Sequence, residues 1–172
     1  MSPEQGKIII ESDEFAEGQA VLEDTLRVLA FSLNKENYCI DVTQAKEVFT
    51  PGLVTRVPNS AGFIKGVTNL HGLIVPLVDI RPFLGLAQSE ITKESKVIGA
   101  EIKGGLVGIV VDKIFEARQI AKSAVQPPLA TLKGEILDFT LGQIQVESGI
   151  ITYLDLKKIL ELNEFKNGGG QL

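Results

Sequence analysis

The chain of 172 residues contains one cysteine, one histidine, one methionine and no tryptophan. A lone Cys39 excludes an internal disulfide framework. Cys39 and His71 together cannot supply the three protein ligands of a catalytic zinc or the four of a structural one. Aromatics make up only 6% of the chain, too few for the stacking platforms of a glycosidase cleft or a single-strand nucleic-acid groove. No apolar run approaches the roughly 18 residues of a membrane span. The first residues, MSPEQGKIIIESDEFAEG, do not read as a signal peptide, because the apolar part is residues 8–10 and acids follow at once. A cytoplasmic protein without direct membrane insertion is expected. There is no P-loop and no G-x-G-x-x-G; the nearest glycine cluster, Lys103-Gly104-Gly105 with Gly108, lacks the following Lys-Ser/Thr. No G-x-S-x-G elbow exists for His71 to serve, so His71 reads as a turn residue facing solvent. Cys39, between Tyr38 and Ile40, reads as a small buried apolar residue. No metal, no cofactor and no enzymatic activity is expected.

Net charge is absent from the body of the chain. Residues 1–27 hold seven acids and two bases, a net of −5 that equals the whole formal charge. The other 145 residues hold fifteen of each sign. A neutral body argues against nucleic acid as a partner, because phosphate-backbone binding needs clustered Lys and Arg. The acidic lead, residues 1–24, reads as a solvated tail with a short helix near 14–22, or as a segment that orders on a partner.

What is abundant is short apolar runs separated by turn residues. In residues 62–82, GFIKGVTNLHGLIVPLVDIRP, two β-rich runs flank His71-Gly72, a tight-hairpin pattern. Pro76 cannot donate to a ladder and is expected on an edge or at a bulge. Residues 25–33 and 38–42 form an earlier hairpin, and 53–57 a short strand. Residues 97–102 and 106–111 form a second clear hairpin about Gly-Gly, which 112–120 leaves as an extended segment. Residues 132–141, 143–146 and 149–155 read as three more strands. Residues 156–162 carry the best helical stripe, with Asp155 able to cap it. Many short strands and little helix imply an all-β fold of two small barrels over residues 25–163, with a loose tail at 164–172. Asp79 beside Arg81, and Asp112 beside Lys113, read as local ion pairs or turn supports. A small neutral barrel without catalytic residues acts by binding other proteins. The candidate contact features are the turn at His71, the apolar Ile114-Phe115 and the segment from Ala45 to Glu47.

Four motifs in order carry a family resemblance. FIKGVTNLHGLIVPLVDIR resembles the G-v-x-N-L-R-G and P-v-v-D-L signature of the CheW coupling proteins of bacterial chemotaxis. LVGIVVDKI, LAFSLNKENYCIDVTQAKEV and TYLDLKKIL resemble three further motifs of that family, and together they span residues 26–162. The resemblance implies two five-stranded SH3-like β-barrels around a shared apolar core, with a short C-terminal helix. It also implies a non-enzymatic adaptor joining the cytoplasmic tips of chemoreceptors to the regulatory domain of the histidine kinase CheA, recruited to membrane-associated receptor arrays. The positions it implies for partner binding are Ala45, Glu47, Gly66, His71, Val97, Gly108, Ile114 and Ala117. His71 stands where the family has Arg, and a shorter, mostly uncharged side chain cannot reproduce a bidentate contact. Two alternatives are a scaffold of the same fold in a non-flagellar chemosensory pathway, governing pili or gene expression, and a small-molecule-binding barrel using Asp79, Arg81 and His71 around one turn.

Overall fold

The computed structural model describes residues 24–162. Apart from Asp24, the acidic lead (with its expected helix near 14–22) and the tail at 164–172 lie outside them. Eleven strands form two antiparallel-rich sheets. The first sheet contains β1 (Thr25–Leu33), β2 (Glu36–Asp41), β8 (Lys113–Ala121), β9 (Val125–Gln126), β10 (Thr140–Val146) and β11 (Gly149–Leu154), in the order β8-β1-β2-β11-β10-β9. The second contains β3 (Glu47–Phe49), β4 (Ile64–Leu70), β5 (Leu73–Val78), β6 (Lys96–Ile102) and β7 (Gly105–Val111), in the order β3-β6-β7-β5-β4. The all-β, two-lobed SH3-like architecture is the expected one. The first lobe gains a sixth strand, the two-residue β9, and the chain leaves it after β2 and returns at β8.

Three tight turns share one cause. His71 and Gly72, at φ 52° and 88°, place two successive residues in the left-handed region, the type I′ geometry that matches strand twist. Lys103 and Gly104 repeat it at φ 50° and 80°, so the second hairpin turns on Lys-Gly instead of Gly-Gly. Asn34 and Lys35 adopt it without any glycine. The Asn69 side chain accepts from the Gly72 amide at 3.0 Å and braces the His71 turn.

Pro76 lies on an interior strand, between β4 and β7, not at an edge. It faces Val67, whose amide and carbonyl are both taken by Thr55 at 2.8 and 2.9 Å. The pairing of β5 with β7 starts only at Leu77 opposite Gly108. Pro76 therefore sits where neither neighbouring strand calls for its missing N–H. Residues 53–57, expected as a strand, contribute only this isolated bridge at Thr55. Residues 132–141 also differ from the expected strand. Gly134 at φ 83° breaks the run, and one helical turn, α1 (Ile136–Phe139), precedes β10. The Thr140 hydroxyl donates to the Ile136 carbonyl at 2.7 Å, and Phe139 is buried in the main core. The second helix, α2 (Leu156–Leu160), is as expected, with Asp155 accepting from the Lys158 amide at 3.1 Å.

Period-two alternation divides the apolar residues among three cores. Phe31, Leu33, Ile40, Ile98, Ile109 and Leu154 join α2 in a cluster shared by both lobes. Val28, Ala30, Cys39, Ile120, Ile144 and Ile151 fill the first lobe. Leu77, Val97 and Val110 fill the second, with Phe49 and Val54 packed on them. Each fully buried aliphatic side chain contributes about 1.5–3 kcal/mol. Cys39 has no exposed surface, and burial pushes its thiol up, so it serves as the core filler its sequence context implied.

A polar hub ties the lobes together where the chain crosses between them. Arg81, 1% exposed, donates from Nη1 to Asp79 at 3.0 Å, from Nη2 to Asp112 at 2.7 Å and from Nε to Asn34 Oδ1 at 2.7 Å. Asn34 belongs to the β1–β2 turn, Asp79 and Arg81 follow β5, and Asp112 lies between β7 and β8. The Asn34 amide donates back to Asp112 at 2.7 Å, which helps hold its positive φ. The expected local Asp79–Arg81 pair is present, and it is buried. Asp112 pairs with Arg81 and not with Lys113.

Candidate functional site

The most exposed apolar side chains of the second lobe collect around the tip of the β4–β5 hairpin. Leu73 and Ile74 are the first residues after the turn, and 61% and 66% exposed. Leu53, at 86%, is held beside β4, because its carbonyl accepts from the Thr68 hydroxyl at 2.9 Å. Across from the tip, His71 Nε2 lies 3.5 Å from Glu47 Oε2. Val48, next in β3, is also exposed, on the face of the strand opposite Glu47. Strand geometry causes this exposure. The turn carries the start of β5 beyond the ladder with β7, so Leu73 and Ile74 pair only with Leu70 and Asn69 of β4 and have no neighbour on the β7 side. Such a grouping, edged by Glu47 and His71, has the chemistry of a protein-contact surface.

The eight residues implied by the resemblance fall into three places. Glu47 and His71 meet at the hairpin tip, and His71 is exposed as the turn reading required. Ala45 is close in sequence to Glu47, half-buried, closing the 3-10 turn Val42–Gln44 and packed against the shared core. Gly66, Val97 and Gly108 lie inside the second lobe. A Cβ on Gly66 would stand 2.6 Å from the Thr55 carbonyl oxygen, and φ there is 144°. A Cβ on Gly108 would stand 2.6 Å from Val97 Cγ1 and 2.8 Å from Leu77 Cδ2. These three shape the lobe from within. Ile114 and Ala117 lie on β8, the edge strand of the other lobe, half-buried against the shared core.

Asp79, Arg81 and His71 do not form one site. His71 lies at the opposite end of β5 from Asp79, about six residues of strand or 20 Å away. Arg81 and Asp79 are committed to the hub. Sequence reasoning missed Leu53, Leu73 and Ile74. The signal was the turn itself, since residues just past a type I′ turn at a strand tip outrun their neighbours. Among the described residues there is no group of three or more His, Cys, Asp or Glu able to hold a metal ion.

The family model of the CheW-like domain matches residues 27–164. The chain belongs to the CheW-like family. The chemotaxis protein CheW of Thermotoga maritima is 31% identical over 150 residues, covering 86% of this chain and 97% of that protein. The scaffolding protein TtCheW of Thermoanaerobacter tengcongensis has a similar structure, with a TM-score of 0.69 and 28% identity over 82% of this chain and 96% of that one. Protein FrzA of Myxococcus xanthus is 28% identical over 118 residues, 67% of this chain and 72% of that protein. The chain is thus a CheW-like adaptor of chemotaxis signalling and not an enzyme. No helix among the described residues is long and apolar enough to cross a membrane.

Proposed function

We propose that this CheW-like chain couples the cytoplasmic tips of chemoreceptors to the regulatory domain of a CheA-type histidine kinase, in the cytoplasm and within membrane-associated receptor arrays. The observation that supports this reading most is the uncovered apolar group at the β4–β5 tip, Leu53, Leu73 and Ile74, bordered by the His71–Glu47 contact. In this reading residues 25–163 are the adaptor domain. Glu47 and His71 touch a partner at the tip, and Ile114 and Ala117 on the β8 edge. Ala45, Gly66, Val97 and Gly108 act by shaping the surfaces above them.

The test is binding of the full-length chain to the CheA regulatory domain and to a receptor tip from the same genome. Binding to at least one tighter than about 100 μM is expected. Ile74→Glu, on an exposed residue, weakens it at least about ten-fold while the melting temperature stays within 1–2 °C, roughly the effect of a neutral surface change. Absence of binding to both partners refutes the coupling function. A second reading, a scaffold for a chemosensory pathway governing pili or gene expression, is favoured by the match to a relative that bears a different name, FrzA. Genes for pili or regulators beside the receptor and kinase genes would select it.

A further inference from the structure

Away from the hairpin tip, the Val42–Gln44 turn, the tip of the β6–β7 hairpin and α2 enclose a cavity of about 360 Å³. Its apolar lining is Ala100, Ile102, Leu156 and Leu160. Three lysines border it, Lys46, Lys103 and Lys157, against two acids, Glu101 and Glu161. Lys46 is paired with Glu101 at 3.5 Å. Lys103 and Lys157 have no ion-pair partner among the described residues. The border is therefore one charge positive, and its two uncommitted cations lie on separate walls. The cavity is an apolar floor edged by ammonium groups.

We propose that its occupant is this chain's own segment 1–23. Three observations meet there. The first is charge: residues 1–23 carry six acids and one base, a net of −5, while the rest of the chain is neutral. The second is pattern: Ile8, Ile9 and Ile10 are followed at once by Glu11, Asp13 and Glu14, an apolar run beside acids as the floor lies beside lysines. The third is position. The segment joins the body at β1, where Val28 faces Asp41, and Asp41 caps the turn that forms one cavity wall by accepting from the Thr43 amide at 2.9 Å. From Val28 back to Asp24 is about 13 Å of strand, and 23 residues reach up to about 75 Å. The tether is ample. The other uncovered apolar residues of the first lobe, Leu129, Leu137, Leu141 and Ile150, do not line this cavity. Docking of the lead would cover α2 and the turn that leads into Ala45 and Glu47. The inference does not depend on the identity of the adaptor's partners.

Cys39 is the only native thiol and is fully buried, so a nitroxide can be attached to full-length Ser12→Cys alone. Paramagnetic broadening of the methyl signals of Ile102, Leu156 and Leu160 is expected in dilute protein. Salt near 0.5 M, where the Debye length falls to about 4 Å, should relieve it. The double change Lys103→Glu/Lys157→Glu lowers the docked-to-free ratio at least about five-fold, since it turns attraction into repulsion at two exposed sites. Retained dispersion of the Phe31 and Val28 signals shows that this variant is folded. Unbroadened methyls at the cavity overturn the proposal. So does broadening centred on Leu129, Leu141 and Ile150, or broadening that appears only between labelled and unlabelled molecules, which would make the occupant a second copy.

Discussion

Replacing Arg81 with methionine keeps most of the side-chain volume and removes the charge at the centre of the hub. Arg81 is 1% exposed and Asp79 has no exposed surface. Loss of the guanidinium strands the Asp79 carboxylate in the core, with only the Arg81 amide at 3.0 Å and the Ser89 amide at 3.4 Å left to bind it. Breaking a buried ion pair from one side costs about 3–5 kcal/mol. Asp112 adds less, because its side chain is 39% exposed and water can take over. With a urea m-value of about 2 kcal/mol/M, the unfolding midpoint should fall by about 2 M at unchanged m. The double change Arg81→Met/Asp79→Asn removes the stranded charge, so it should be less harmful than the sum of its parts by about 1–3 kcal/mol. A loss below about 1 kcal/mol for Arg81→Met, or simple additivity in the double, would refute the idea that this pair is buried and coupled.

Gly108→Ala inserts a methyl group between Val97 and Leu77, at 2.6 and 2.8 Å from their ends, and should destabilise by about 1–3 kcal/mol in thermal unfolding. Adding Val97→Ala should recover part of that loss; no recovery would mean that the contact is not the cause. Tyr38 is raised to about 12, first by burial, then by Glu36, with Arg81 opposing. The unfolded chain therefore releases this proton at lower pH than the folded one. Stability is complete below about pH 10 and falls as pH rises toward 12. Denaturant midpoints measured across that window should decline more steeply than those of Tyr38→Phe.

The strands were legible because their evidence is local. Alternating β-branched residues and paired turn residues mark β4–β5 and β6–β7 without reference to the rest of the chain. The run at 132–141 failed for the same reason. Its apolar residues fit either period, and the choice of a helical turn at Ile136 depends on Phe139 reaching the shared core. Arg81 shows the limit more sharply. Its Asp79 neighbour is visible at two residues' distance, whereas Asn34 and Asp112 lie 47 and 31 residues away. The contact surface was half legible. The turn at His71 stood out, but Leu73 and Ile74 look like any other residues of an apolar strand, and only the end of the β7 ladder leaves them uncovered.

The order of the strands sets a schedule for synthesis. Lobe one is begun by β1 and β2 and cannot be finished until β8 emerges, because Thr25 pairs with Ala121. Between them the ribosome makes the whole of the second sheet, β3 to β7. At about 5–20 residues per second, the edge of β1 waits roughly 5–20 s for its partner. The nested lobe can close on itself meanwhile, and it brings residues 34 and 112 together as it does so. A cassette of that kind, entered and left at one clasp, is the natural unit for exchange between related adaptors: residues 45–111 could be replaced by another lobe that keeps Asp79, Arg81 and the side chains it gives to the shared core, such as Ile80, Ile98 and Ile109, and the outer barrel would still find its closing strand.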